Sequence, residues 1–208
     1  PKAGSPIVFR VYNRTGHKFP SGDPESRRAW LHVEFLDSKG RVIGESGRYD
    51  FDTATLIRDP QAKVYEVKLA QGNTPTFHMI LANNVLKDNR IPPRGFRRSA
   101  FQQFNIAPVG ADYRDGQFWD DTAYTLPPGT AKVRATLYFQ VMTREYVEFL
   151  RDANTTDDWG RLLYQAWLAS DKAPPIAIAT AVYPPDRNAP TQPTSLQGHS
   201  PSSYRVVL

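Results

Sequence analysis

Apolar and polar residues alternate most regularly over Lys132–Val141 (KVRATLYFQV). Val133, Ala135, Leu137, Phe139 and Val141 fall on one face, and Arg134, Thr136, Tyr138 and Gln140 on the other. A period of two predicts a strand with one face in a core. Trp30–Leu36 behaves in the same way, with Leu31, Val33 and Phe35 opposed to Trp30, His32, Glu34 and Leu36. Asp37-Ser38-Lys39-Gly40 then predicts a tight turn with glycine in its last position, and Arg41–Glu45 the returning hairpin strand. Ile7–Tyr12 is apolar and β-branched enough for a strand, and Val64–Leu69 alternates as another. Thr76–Leu81 is a strand candidate of unclear period. Ile176–Tyr183 (IAIATAVY) predicts a buried strand.

A period near 3.6 occurs twice. Thr143 can cap a first short helix, whose Tyr146, Phe149 and Leu150 share one face. Thr155 or Thr156 can cap a second, with Asp157 and Asp158 favouring its dipole. Trp159, Leu162, Leu163, Ala166 and Trp167 line one face of it, and Lys172-Ala173-Pro174-Pro175 ends it. Ala82–Phe104 and Tyr113–Gly129 read as long irregular segments, since the Pro92-Pro93 pair cannot lie inside a helix. No internal repeat is present. The pattern predicts a mainly β fold: one antiparallel β-sandwich, Ig-like or jelly-roll-like, over residues 1–183, with a short inserted helical hairpin near 143–170. Residues 184–208 read as a Pro/Ser-rich extended tail, with Tyr204–Leu208 a candidate terminal edge strand.

A chain of 208 residues is long enough to bury a sizeable core. Its 18 prolines and 13 glycines are scattered between apolar runs, which favours many short strands joined by turns. No run approaches the roughly 20 apolar residues of a membrane helix, so no membrane span is expected. The opening at Pro1 reads as a processed protein or a fragment. There is no cysteine, which excludes disulfides, thiolate metal sites, a cysteine nucleophile and a C-x-x-C-H haem attachment. The net charge of +5 is dispersed, with small clusters at Arg27-Arg28 and at Arg94, Arg97 and Arg98. That pattern lacks the dense basic stripe of a nucleic-acid binder and suits an acidic protein partner better.

The chemistry-bearing candidates are few. Asn13-Arg14-Thr15-Gly16-His17-Lys18-Phe19-Pro20-Ser21-Gly22 is a loop rich in residues that fix turns without regular hydrogen bonding. It holds His17 where an imidazole can ligate a metal or haem iron, or where it is simply a surface histidine bonded to backbone. His32 and His78 read as packed or solvated residues, and His199 falls in the tail. No paired-histidine spacing suggests a zinc site. Asp50 and Asp52, and Asp115, Asp120 and Asp121, are turn carboxylates that could serve calcium or merely be solvated. Glu34, Glu45, Asp120 and Asp121 could supply an acid and a base, but no spacing selects a pair. With no nucleophile elbow, phosphate loop or kinase motif, the chain is not expected to be an enzyme. Trp119, Tyr124, Trp159 and Trp167 could build a sugar-stacking face, although Trp159 and Trp167 read better as core.

Several stretches together resemble a known family. They are the Asn13–Gly22 loop followed by Arg27-Arg28-Ala29-Trp30-Leu31-His32-Val33, then Leu86–Pro93, Asp115–Asp121, Leu137–Gln140, Arg144–Leu150, Leu163–Trp167 and Lys172–Pro175. In this order, over about Ile7–Ala179, they resemble the haem-free β-rich domain associated with bacterial multihaem c-type cytochromes. The resemblance implies a periplasmic or extracellular, non-catalytic subunit of an electron-transfer assembly. It implies that the residue matching His17 closes over a haem or supplies its distal axial ligand, with Lys18 and Phe19 beside it. With no C-x-x-C-H, the haem c would come from a multihaem partner chain or from a segment outside this sequence. Asp88, Asn89 and Arg90 are expected to fix long loops through internal salt bridges. The alternative is an extracellular carbohydrate- or surface-binding module, which would need an exposed coplanar aromatic set including Trp119.

Overall fold

A computed structural model describes residue 4, residues 6–184 and the backbone of residues 204–207. His199 and most of the expected tail lie outside the described residues. Thirteen strands and three α-helices are formed among the described residues. The strands are β1 (Pro6–Tyr12), β2 (Arg28–Leu36), β3 (Val42–Ser46), β4 (Tyr49–Asp50), β5 (Thr55–Leu56), β6 (Val64–Tyr65), β7 (Val67–Gln71), β8 (Thr74–Pro75), β9 (Asn84–Asp88), β10 (Trp119–Thr125), β11 (Lys132–Gln140), β12 (Ile176–Tyr183) and β13 (Tyr204–Val207). The helices are α1 (Arg98–Gln103), α2 (Arg144–Ala153) and α3 (Trp159–Ala169). The fold is mainly β, with several antiparallel sheets and few helices, as the alternation predicts.

One sheet runs β10-β1-β13 and a larger one β12-β11-β2-β3, with β6 also paired to β2. The alternating faces read from sequence are the faces that meet. Leu31, Val33 and Phe35 of β2 stand opposite Leu137, Ala135 and Val133 of β11. They pack against Ile7, Phe9 and Val11 of β1 and Tyr124 of β10 to form the main core. Replacing one such buried Leu by Ala costs about 2–5 kcal/mol. The opposite face of the larger sheet carries a second cluster, in which Trp30, Tyr49 and Leu56 meet Val147 of α2 and Trp167 of α3. Trp30 indole also donates to the Gly47 carbonyl at 3.0 Å. The Asp37–Gly40 turn forms as expected: Gly40 has φ 78°, and Asp37 Oδ1 accepts from the amides of Lys39 and Arg41. Thr143 caps α2, its hydroxyl accepting from the Tyr146 amide.

Several expectations are corrected. Val64–Leu69 is broken at Glu66, so that β6 pairs with β2 while β7 pairs with β8 and β9. Thr76–Leu81 is not a strand. It leads into a single 3-10 turn at Met79–Leu81, and Ile80 at its tip is 95% exposed. The two segments read as irregular contain β9, α1 and β10. Strand β12 is not buried: among the described residues it pairs with β11 alone, at the end of the sheet, and Ile176 and Ile178 are exposed. Helix α3 does not bury the Trp159–Leu162 side, since Trp159 is 72% exposed. Its packed residues are Gly160 and Trp167. A Cβ on Gly160 would lie 2.3 Å from the Leu150 carbonyl oxygen, so the helix approaches α2 at the glycine and turns Trp159 outward. Its N-cap is Asp158 rather than a threonine, and Asp157 Oδ1 accepts from the Trp159 amide at 3.0 Å.

Candidate functional site

The chain leaves β1 through a loop organised by one buried side chain. Asn13 Nδ2 donates to the carbonyls of His17, at 2.6 Å, and Ile91, at 2.8 Å. Its Oδ1 accepts from the Thr15 amide at 2.8 Å and lies 2.7 Å from Thr15 Oγ1, which is 2.9 Å from the His17 carbonyl. This is the local turn chemistry to which asparagine is suited. The Asn13–Gly22 loop is thereby closed on itself and tied to the segment after β9.

That second segment is fastened just as firmly. Phe19 and Ile91 exchange backbone hydrogen bonds of 2.9 Å in both directions. Lys18 Nζ, buried, lies 2.6 Å from Asp88 Oδ2 and also donates to the Ile106 carbonyl. Asp88 accepts both arms of Arg90 at 2.8 Å. Burial lowers the pKa of Lys18 although Asp88 opposes it. Burial would raise Asp88, but Arg90 and Lys18 outweigh that and hold it below the usual carboxylate range. Asn89 bonds the Glu66 amide and the Val64 carbonyl, and Tyr113 donates to the Asn89 carbonyl. The expected role of Asp88, Asn89 and Arg90 in fixing loops by internal bonds is what the geometry displays.

Between these fastenings His17 is exposed. Among the described residues its imidazole makes no hydrogen bond, ion pair or ring contact, although its backbone carbonyl is held twice. The ring stands at a cleft of about 550 Å³ that Lys18, Arg90, Pro93, Phe101 and Ile106 also line. An imidazole with both nitrogens uncommitted can ligate a metal through one and hydrogen-bond through the other. The walls of Pro93, Phe101 and Ile106 suit a flat apolar group. Lys18 and Arg90 share the single carboxylate of Asp88, so the cluster shapes the cleft and leaves it one net positive charge. Phe19 does not reach the cleft: it is partly buried against the main core.

The other candidates do not converge. Asp115 accepts from the Arg98 amide at the start of α1. Asp120 faces inward to Tyr65 hydroxyl, at 3.0 Å, and Lys63, at 2.9 Å. Asp121, its neighbour on β10, faces outward and takes both arms of Arg10. Asp50 accepts from the amides of Asp52 and Thr53. Among the described residues no group of three or more His, Asp or Glu is placed to hold a metal ion. His32 lies 3.0 Å from Glu45, Glu34 is paired with Arg134, and His78 sits edge-on to Phe149. Trp119 is half-buried, tilted 54° against Tyr12 and 85° against Phe118, so these rings form no coplanar platform. Tyr124 and Trp167 are buried.

Sequence reading did not single out Glu25. It is 8% exposed, and as a carboxylate both its oxygens would be buried without a donor. Protonation removes the buried charge and gives Glu25 one proton to share with the neighbouring Asp23 carboxylate. Burial and the Asp23 neighbour push its pKa up to about 7. The loop it holds continues from Ser21 and Gly22 at the cleft rim. A spacing of two carboxylates in a turn carries no sequence signal for such sharing.

No family model matches the chain, and no curated protein matches it. Among solved structures, a penta-haem cytochrome c552 from Thermochromatium tepidum aligns over 86% of this chain and 39% of that one. The sequence identity is 17% and the TM-score 0.45. A likeness this faint settles neither fold nor function.

Proposed function

We propose that the chain is a non-catalytic, haem-free domain or subunit of a periplasmic or extracellular multihaem cytochrome assembly, and that His17 meets a haem of a partner chain. One observation carries this reading: an imidazole without a partner among the described residues, on a loop whose backbone is bonded closed at the mouth of an apolar-walled cleft. Asn13 and Thr15 fix the loop backbone, and the Lys18–Asp88–Arg90 cluster fixes the cleft floor. The loop backbone is ordered beforehand, so engagement costs chiefly the ordering of the His17 side chain. The residues fit one axial position and no more. With no cysteine, this chain cannot bind haem c covalently. A haem presented by another chain would supply the redox chemistry. This chain would exclude water from its edge and present the imidazole from a fixed loop backbone.

The sugar-binding alternative lacks its platform, because the Trp119, Tyr12 and Phe118 rings are mutually tilted. The test is co-purification of the tagged protein from its native host, with an absorption spectrum of the retained material. A Soret band from a companion cytochrome, reduced in the His17→Ala protein, is expected. Retained material without a haem protein would remove the reading.

A further inference from the structure

We infer that the face around the His17 cleft is a docking surface for an acidic protein. Across most of the molecule arginines are paired with carboxylates: Arg10 with Asp121, Arg58 with Glu66, Arg134 with Glu34, Arg144 with Glu148 and Arg151 with Asp152. Arg27, Arg94, Arg97 and Arg114 have no carboxylate within ion-pair distance among the described residues. Arg27 donates instead to the Ser21 carbonyl, and Arg94 lies over the Phe118 ring at 5.0 Å. All four belong to the two stretches that frame the cleft, one running on from Gly22 and the other from Pro93.

Acidic residues of the same stretches balance them only in part, since Asp23 lies in the field of Arg27 and Asp115 is the one carboxylate there with no cation partner among the described residues. Asp88 is held by Lys18 and Arg90. Asp112 pairs with Arg98, and Asp115 accepts from the Arg98 amide. Asp23 accepts from Ser26 and is bonded to Glu25. The cleft itself has apolar walls, with Ile106 48% exposed in it, and Phe104, two residues before Ile106 at the end of α1, is 73% exposed. An apolar centre edged by arginines is the composition of a protein interface. The net positive charge of these stretches selects a partner that presents Asp and Glu. The inference rests on the proposed role of His17 and adds the partner's surface chemistry to it.

The test uses a soluble multihaem c-type cytochrome with an acidic surface, a basic one of similar size, and vesicles of phosphatidylglycerol and phosphatidylcholine. Binding is measured by calorimetry for the wild-type protein, the Arg94→Glu/Arg97→Glu variant and the control Arg41→Glu. Arg41 is exposed, pairs with Asp37 and lies on the hairpin between β2 and β3. Affinity for the acidic cytochrome is expected to fall at least about tenfold in the double variant, and to weaken with salt, while Arg41→Glu leaves it unchanged. Circular dichroism and thermal melting check that the double variant folds. Equal binding by the double variant, equal binding of the basic cytochrome, or binding to the vesicles alone would overturn the inference. His17→Ala separates the two claims. If it keeps docking but no variant alters the haem spectrum, only the ligand role fails. If the spectrum changes without dependence on Arg94 and Arg97, only the docking surface fails.

Discussion

Lys18 Nζ lies 2.6 Å from Asp88 Oδ2, joining two loops that are 70 residues apart in sequence. Each side chain is only 7% exposed. The pair fixes the floor of the His17 cleft, and its two ends are not equivalent. Asp88→Asn leaves Lys18 and Arg90 both without an anion, a loss of roughly 3–5 kcal/mol for a buried pair. Lys18→Met leaves Asp88 still paired with Arg90 and keeps the apolar stem, so about 1–3 kcal/mol is expected. Urea unfolding of the two variants checks the order. Equal losses would mean that Arg90 does not hold Asp88 in solution.

Glu66 sits in a ring of cations. Burial would raise its pKa, but Arg58, Lys68 and Lys87 lower it to about 2. The unfolded value is near 4.5, so the folded state binds fewer protons between those two values. The stability from this group is therefore complete above pH 4.5 and is lost as the pH falls toward 2. Glu66→Gln should lower stability at pH 7 and flatten the acid limb below pH 4.5. Thermal melts from pH 2 to 7 measure this, and an unchanged acid limb would exclude Glu66 as its source.

Glu25 predicts the opposite slope in a different window. Its folded pKa is about 7 and its unfolded value near 4.5. Between them the folded protein keeps a proton that the unfolded chain has released, so stability falls as the pH rises through this window. The expected size is on the order of 3 kcal/mol. Asp23, held low by Glu25 and Ser26, acts only at more acid pH. Glu25→Gln should remove the decline between pH 4.5 and 7. Parallel profiles for wild type and variant would show that the carboxyl is ionised in the fold.

Gly160 tests the helical hairpin. Alanine there gains about 1 kcal/mol of helix propensity, but its Cβ would lie 2.3 Å from the Leu150 carbonyl oxygen. Backbone cannot yield as a flexible side chain does, so overpacking of roughly 1–3 kcal/mol should dominate. Chemical denaturation of Gly160→Ala is expected to show a net loss. A gain would mean that the helices separate freely.

Strands β1, β2 and β11 are legible in the sequence because each carries an alternating apolar face that enters the main core, and β3 is legible from the Asp37–Gly40 turn before it, since Val42 and Ile43 are exposed. Strand β10 is not, since its inner face carries Asp120 and Thr122. Tyr65 and Lys63 satisfy Asp120 from other elements, and no local pattern announces that. The uncharged run of β12 suggested burial, but composition does not say whether a strand has one neighbour or two. Helical periodicity predicts Trp159 inside, and the close approach of α2 at Gly160 turns it outward. At the site, the Asn13–Gly22 loop stands out by its Asn, Thr and Gly residues. The Lys18–Asp88 pairing leaves no local trace. The arginines of the cleft rim were visible as residues, but their lack of carboxylate partners is a property of the folded surface.

The most direct test of the His17 proposal is an absorption titration. A ferric multihaem c-type cytochrome with one open axial position is titrated with the wild-type protein and with His17→Ala. A low-spin shift of the Soret band with wild type, absent with His17→Ala, is the expected result. Identical spectra with both proteins would contradict it.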